Sequence, residues 1–403
     1  MHVVAALPCA LPLLRADPIT DLAPENQTIQ ISKQENPALF SGKRKIRPTA
    51  GKNRQPERRM TMIRKALCLV LSLLLLPLFA AAEEASDPFA GSAGQPAAGG
   101  FPEGPGFSTL TEEQFSADDL PEGILESCDQ PGRVEKLRYR VSGEDQSVKS
   151  VMVYLPRGYD ESGDAYNVLY LLHGASSSPK NYLDPKRVTA FQNLLDHMIA
   201  EGKLRPLIVV AATYYPTEGF TQFLPLAMQV EVAAAFPREL GEDILPAVES
   251  EYRTFAAATD ADGIRASRDH RAIAGFSLGG VTAWYVFLQQ MQAFRWFLPI
   301  SEASWDDGEG GTTGIWDSDV SAQVLYDAVK TQGFSKDDFR LYVATGTDDE
   351  AFGVSTSQMV SLLEYDDMFK PGDNTSCSMM IGGTHTIQAL YTYLYHILPD
   401  LFV

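Results

Sequence analysis

The sequence predicts an α/β fold: a mostly parallel central sheet with helices on both faces and an antiparallel hairpin at its N-terminal edge. Three observations predict it. Short, continuous apolar runs recur along the later two thirds of the 403-residue chain, as strands buried on both faces require. Segments with helical spacing of apolar residues separate those runs, and strands alternating with helices imply right-handed crossovers and a parallel sheet. The composition, 45% hydrophobic and 21% charged, is that of a globular chain and excludes a mainly disordered, collagen-like or multispan membrane protein.

Two stretches of alternating polarity, 134–141 and 148–155, open the pattern, and Pro156-Arg157-Gly158-Tyr159 ends the second. They read as the antiparallel hairpin. The apolar runs at 168–172, 207–212, 272–274, 297–300, 341–344 and 378–381 are the buried strands. Helical spacing covers 188–201, 230–252, 281–290, 322–332, 357–369 and 387–398. The regular pattern sets in at Arg133 and continues to Val403, the size of one α/β domain. Ligand chemistry in such a sheet sits at the carboxyl ends of its strands.

The net charge of −19 argues against a nucleic-acid partner, because phosphates are neutralised by Lys and Arg, and disfavours an anionic membrane surface for the same reason. The charge is uneven: residues 1–82 hold 12 Lys/Arg against 5 Asp/Glu. That boundary falls at an export signal. Met60-Thr61-Met62-Ile63-Arg64-Lys65 is a short positive start; residues 66–79 contain eight leucines and no charge; and Ala80-Ala81-Ala82 supplies the small residues of a cleavage site before Glu83. The apolar run is too short to span a bilayer comfortably, so no stable membrane span is expected after cleavage. A buried helix or a retained anchor is the alternative. Residues 1–59 are expected to be a non-native upstream extension, translation starting at Met60 or Met62, with a basic targeting extension as the other reading. In the 26 residues 83–108, Gly, Pro, Ala and Ser fill 18 positions, and with the acidic residues 109–132 this reads as a flexible linker.

Of four cysteines, Cys128 and Cys377 remain after the signal. They can form one bridge at most, and spacing does not show whether they meet. Neither has a Cys or His at ligand spacing, so no metal is expected.

The strongest local signal is Gly275-Phe276-Ser277-Leu278-Gly279, G-x-S-x-G between an apolar strand and a helical pattern. A serine on that sharp turn sits at a helix N-terminus, flanked by glycines because bulky neighbours would clash, with amides positioned to meet an oxyanion. Serine needs a base. Of the two histidines that follow, His385 lies in a loop directly after the last strand, whereas His396 falls inside the final helix and reads as a packed or surface residue. The acid is expected at the end of the strand between them, in Thr347-Asp348-Asp349-Glu350; Asp349 is the first choice and Asp348 the second. Its role is to fix the imidazole tautomer and stabilise the imidazolium. The strand 168–172 ends in His173-Gly174-Ala175, so the oxyanion hole is assigned to the backbone N–H groups of Ala175 and Leu278, with His173 shaping the loop. Trp305 and the turn Tyr214-Tyr215-Pro216 follow predicted strands and are expected either to line the substrate cleft or to pack as ordinary core aromatics.

From about residue 133 to its end, the chain resembles the esterase family of α/β-hydrolases that includes feruloyl esterases, acetyl-xylan esterases, S-formylglutathione hydrolases and mycolyltransferases. The resemblance is carried by Tyr154-Leu155-Pro156, Leu171-Leu172-His173-Gly174, Phe236-Pro237-Arg238-Glu239-Leu240 with Asp243-Ile244-Leu245-Pro246, the Ser277 elbow, Gly346-Thr347-Asp348-Asp349 and Gly383-Thr384-His385. It implies the α/β-hydrolase fold and no metal or organic cofactor. In relatives with a G-T-x-D acid motif the aspartate is the fourth residue, which favours Asp349. The chain departs from many relatives in placing Thr386-Ile387-Gln388, not an aromatic, after the histidine. The Gly-rich acidic loop 304–311 does not match calcium-loop spacing.

The function expected is that of a secreted serine carboxylic-ester hydrolase working through an acyl-enzyme, with feruloyl or acetyl esters of xylan or an oligosaccharide as the substrates the resemblance implies. Acyl transfer to an alcohol acceptor, a non-catalytic surface or carbohydrate-binding role and peptidase action are the alternatives.

Overall fold

The computed structural model describes residues 113–403 apart from 117–118 and 144–145. The expected signal, the upstream extension and the first part of the linker lie outside the described residues. Nine strands form one sheet in the order β1-β9-β8-β7-β6-β4-β5-β3-β2. The strands are β1 (Glu113–Ser116), β2 (Arg133–Arg140), β3 (Val148–Leu155), β4 (Val168–Leu172), β5 (Ile208–Ala212), β6 (Arg271–Phe276), β7 (Trp296–Ile300), β8 (Arg340–Gly346) and β9 (Thr375–Ile381). The pair β2–β3 is the expected antiparallel hairpin, and β3 is also antiparallel to β5. Every other pairing is parallel.

The side-chain pattern decides which strands are central. Every residue of β4, β5, β6 and β7 is buried, whereas β2 at the edge is largely half-exposed. Alternate residues supply two cores. Val168, Tyr170 and Leu172 face one side of the sheet, and Leu169 and Leu171 face the other. The second side is covered by α1 (Ala190–Ala200) and the C-terminal helix α8 (Ile387–Ile397). The first is covered by α2 (Leu226–Glu239), α3 (Leu245–Glu251), α5 (Leu278–Gln289), α6 (Ser318–Thr331) and α7 (Phe352–Leu362). A short α4 (Ala261–Ala266), capped by Asp260, precedes β6. Side-chain caps start several helices where the chain leaves an extended residue: Thr189 for α1, Asp317 for α6 and Thr386 for α8.

Two departures from the expected elements have local causes. The helix expected over 230–252 is divided: a π-helical turn, Leu240–Ile244, joins α2 to α3. Pro237 lies within α2 and Pro246 opens α3; proline has no N–H to give, and the ladder widens to accommodate it. The second departure corrects the expected linker. Residues 113–116 form β1, parallel to β9, with Phe115 buried and stacked on His396 at 4.3 Å. Beyond it Ile124 is buried, the Asn193 amide donates to the Leu125 carbonyl at 2.8 Å, and Gly132 N–H donates to Asp196 at 2.7 Å. The acidic composition hid these contacts, because a four-residue edge strand carries almost no periodicity of its own.

At the base of β6 a buried ion pair ties that strand to the first layer. The Arg271 Nε donates to Glu249 Oε1 at 2.6 Å, with both side chains about 1% exposed. Its remaining donors reach the carbonyls of Ile264 and Ala293 and the Ser267 hydroxyl. Cys377 is buried in β9, Cys128 is half-buried before β2, and no disulfide joins them. Among the described residues no helix is long and apolar enough to cross a membrane.

Candidate active site

Ser277 stands between β6 and α5 with φ +57° and ψ −128°, a left-handed conformation that an L-residue adopts at a cost of order 1–3 kcal/mol unless its surroundings enforce it. Here they do. A Cβ on Gly275 would lie 1.9 Å from the Gly279 carbonyl oxygen, and one on Gly279 would lie 2.5 Å from that of Leu172, so neither position admits a side chain. Ser277 N–H is held by the Ile300 carbonyl of β7 at 3.1 Å. The elbow therefore projects the serine from the carboxyl end of the sheet.

His385 and Asp349 follow β9 and β8, the two strands beyond β7. The loop after β8 is sewn to the loop after β9 by Thr347 N–H to the Met380 carbonyl at 3.0 Å, Asp348 N–H to the Gly383 carbonyl at 2.9 Å, and Gly382 N–H to the Thr347 hydroxyl at 2.9 Å. This brings His385 Nδ1 within 2.8 Å of Asp349 Oδ1, which also accepts from Ala351 N–H at 2.8 Å. The Asp349 side chain is fully buried, and its Oδ2 has no hydrogen-bond partner among the described residues. Asp348 is exposed and, among the described residues, its side chain accepts only from the Thr347 hydroxyl; Glu350 is exposed, 3.9 Å from the imidazole. With Nδ1–H directed at a carboxylate, Nε2 is the basic nitrogen. Burial opposes charge on the ring, but the hydrogen bond and charge of Asp349, with Glu350 and Glu302 adding, outweigh it and hold His385 above its ordinary 6.5. The ring also packs on Phe276, centroids 4.7 Å apart.

Ser277, His385, Ala175 and Leu278 open on one cavity of about 440 Å³. Leu278 begins α5, so its N–H has no intrahelical partner. The loop after β4 is set from behind. His173 is buried between the Gly174 carbonyl and the Thr213 hydroxyl, each at 2.8 Å, and burial pushes it down to about 4, leaving it neutral. The sequence expectation for Tyr214 and Tyr215 needs correcting on one of its two branches: they do not line the cavity. Both are buried, the Tyr214 hydroxyl donating to the His173 carbonyl at 2.9 Å and the Tyr215 hydroxyl accepting from Ser176 N–H at 3.1 Å, so they buttress the loop after β4. Trp305 does line the cavity, with Phe223, Leu226, Ile315 and Trp316 completing a mainly apolar wall.

Sequence reasoning missed Glu302. It lies two residues past β7, lines the cavity, and is 7% exposed. Its signal was available as a lone carboxylate two residues after the apolar run at 297–300.

A left-handed serine at a strand–helix elbow, beside a histidine hydrogen-bonded to a buried carboxylate at the ends of a parallel sheet, defines an esterase-type α/β-hydrolase. The family model described as "Putative esterase" matches residues 142–369, more than half of the chain, and the chain belongs to that family. The match includes Ser277 and Asp349 and ends before His385. Endo-1,4-beta-xylanase Y of Acetivibrio thermocellus is 32% identical over 306 residues, 74% of this chain and 26% of the relative. An endo-1,4-beta-xylanase/feruloyl esterase of Xylanibacter ruminicola is 29% identical over 154 residues, 37% of this chain and 19% of the relative. The chain thus spans about a quarter or less of the length of these relatives. A serine-to-alanine mutant of the feruloyl esterase module from Clostridium thermocellum, solved with sinapinate, superposes with a TM-score of 0.62 at 30% identity, over 72% of this chain and 95% of that one. A ferulic acid esterase from the anaerobic fungus Anaeromyces mucronatus shares the fold, with a TM-score of 0.54 at 20% identity over 70% of this chain and 96% of that one.

Proposed function

We propose that this protein is an exported serine esterase that cleaves feruloyl or acetyl esters of plant-wall polysaccharide. The observation that carries the reading is the convergence of Ser277, on its strained elbow, with the His385–Asp349 pair on one cavity. Ser277 Oγ attacks the ester carbonyl carbon while His385 Nε2 takes its proton, and the resulting oxyanion accepts from the N–H groups of Leu278 and Ala175. Collapse breaks the ester C–O bond, and the imidazolium returns the proton to the departing alcohol. Water then repeats the sequence on the acyl-enzyme and frees the acid and Ser277. Asp349 keeps Nδ1 protonated throughout and stabilises the imidazolium.

The aromatic wall at Trp305 and Trp316 supports a cinnamoyl-type acyl group. The names of the relatives, a xylanase, a xylanase/feruloyl esterase and a feruloyl esterase module, support acylated xylan or a derived oligosaccharide as the partner. Export rests on the charge, leucine run and alanines of residues 60–82.

The test is hydrolysis of p-nitrophenyl acetate, p-nitrophenyl butyrate and methyl ferulate by residues 83–403, beside Ser277→Ala. Turnover that the substitution abolishes is expected. Absence of turnover on all three, together with no labelling by a fluorophosphonate, would overturn the reading.

A further inference from the structure

The cavity contains a carboxyl group that the mechanism above does not use. In the sheet, β7 runs between β6, which carries Ser277, and β8, which leads to Asp349. The two flanking junctions are stitched to it: Ser277 N–H bonds the Ile300 carbonyl at 3.1 Å, and Ser301 N–H bonds the Ala344 carbonyl at 2.8 Å. Glu302, the next residue, therefore sits between nucleophile and acid, in the wall that Ser277 and His385 share. Its backbone carbonyl accepts from the Trp284 indole of α5 at 3.3 Å, and its Oε1 accepts from Ala303 N–H at 3.1 Å and from the Trp305 indole at 3.2 Å. Neighbouring Ser304 N–H is fixed by Gln358 of α7 at 2.7 Å. The carboxyl is thus pinned, not free to swing into water.

Burying a carboxylate costs several kcal/mol unless positive charge faces it. Among the described residues lining the cavity, His385 is the sole side chain able to supply that charge, and Asp349 and Glu350 are the other ionisable groups around it. In the form that acts as a base His385 is neutral, and the cation appears when the ring takes the serine proton. A fixed negative charge there is matched to the transition state and not to the ground state.

We propose that Glu302 is a second, positioning carboxylate of this active site: ionised, it stabilises the imidazolium of His385 across the cavity, and in either state it anchors Trp305 through the indole N–H. The inference rests on the Ser277–His385–Asp349 reading. Burial, in the first place, pushes the carboxyl up to about 7, with Asp349 adding and the Ala303 and Trp305 donors and His385 opposing. A value there lies in the range in which histidine titrates.

The experiment is the pH profile of kcat/KM for p-nitrophenyl acetate with wild type, Glu302→Gln and Ser277→Ala. Gln keeps an acceptor for the Trp305 indole and removes only the charge. Its acid limb is expected about one pH unit lower than wild type, with kcat down about tenfold and KM unchanged, the size of one charge acting across a partly dry cavity. The wild-type acid limb should need two ionisations, and that of the variant one. An unmoved or raised limb in Glu302→Gln overturns the proposal. If that variant does not fold, the wild-type profile decides, a single-proton limb overturning it. Full activity in Ser277→Ala would instead overturn the triad reading itself, so the two failures are distinguishable.

Discussion

Replacing Asp349 by asparagine separates the carboxylate proposed as the triad acid from two neighbouring carboxylates that the sequence alone leaves in contention. The substituted side chain would keep the size and the buried position, but its amide can donate to Nδ1. The imidazole would then take the other tautomer and present Nε2–H to Ser277, with no lone pair to accept its proton. Charge is lost as well: the 2.8 Å hydrogen bond and the carboxylate behind it are what lift His385 against its burial. The expected loss in kcat/KM is about 10³- to 10⁴-fold, or about 4 to 5.5 kcal/mol of transition-state stabilisation. The residual acid limb should move to lower pH. The base must be neutral to act, so activity falls as pH drops through the His385 pKa, and removing the group that raises that pKa lowers the limb. Asp348→Asn and Glu350→Gln, both at exposed side chains, should stay within about threefold of wild type. The assay is steady-state hydrolysis of p-nitrophenyl acetate across roughly pH 5 to 9, the range in which histidine titrates, with a thermal melt of each variant to show that it is folded. A folded Asp349→Asn within about tenfold of wild type, or an Asp348→Asn as impaired as Asp349→Asn should be, would refute the assignment.

Two other substitutions test the surroundings. Arg271→Met should strand Glu249 in the core, costing about 3–5 kcal/mol and lowering Tm by about 10 °C in a calorimetric or circular-dichroism melt; a fall under about 2 °C would show that the pair at the base of β6 contributes nothing. Trp305→Ala should cut kcat/KM for methyl ferulate about 10- to 100-fold while changing that for p-nitrophenyl acetate much less, since only the larger acyl group needs the aromatic wall; equal effects on both would remove Trp305 from the acyl side.

Much of this architecture was legible because its signals are local. Each buried strand appears as an apolar run because both of its faces are covered, and the predicted cores of β3 to β9 fall within the observed strands apart from Leu207, one residue before β5. The Ser277 elbow was readable because steric demand writes itself into adjacent glycines. The His385 position was readable because just two histidines follow the serine. What escaped detection depends on partners distant in sequence. The strand β1 exists because the edge of β9 offers it a ladder, and nothing in Glu113-Gln114-Phe115-Ser116 announces that. Tyr214 and Tyr215 sit after a strand as a cleft residue would, yet their hydroxyls turn to the loop of His173 and Ser176.

By itself, the sequence determined the fold class, the chain order of Ser277, Asp349 and His385, and the residue types at the strand ends that carry them, because periodicity and turn sterics act over a few neighbouring residues. Only the tertiary structure decided which of Asp348, Asp349 and Glu350 meets His385, which aromatics face the cavity, and that Glu302 stands between Ser277 and Asp349. Those outcomes depend on which strands lie side by side and on how deeply each side chain is withdrawn from water. Both are properties of the assembled sheet and its two helical layers, and no stretch of the chain carries them alone.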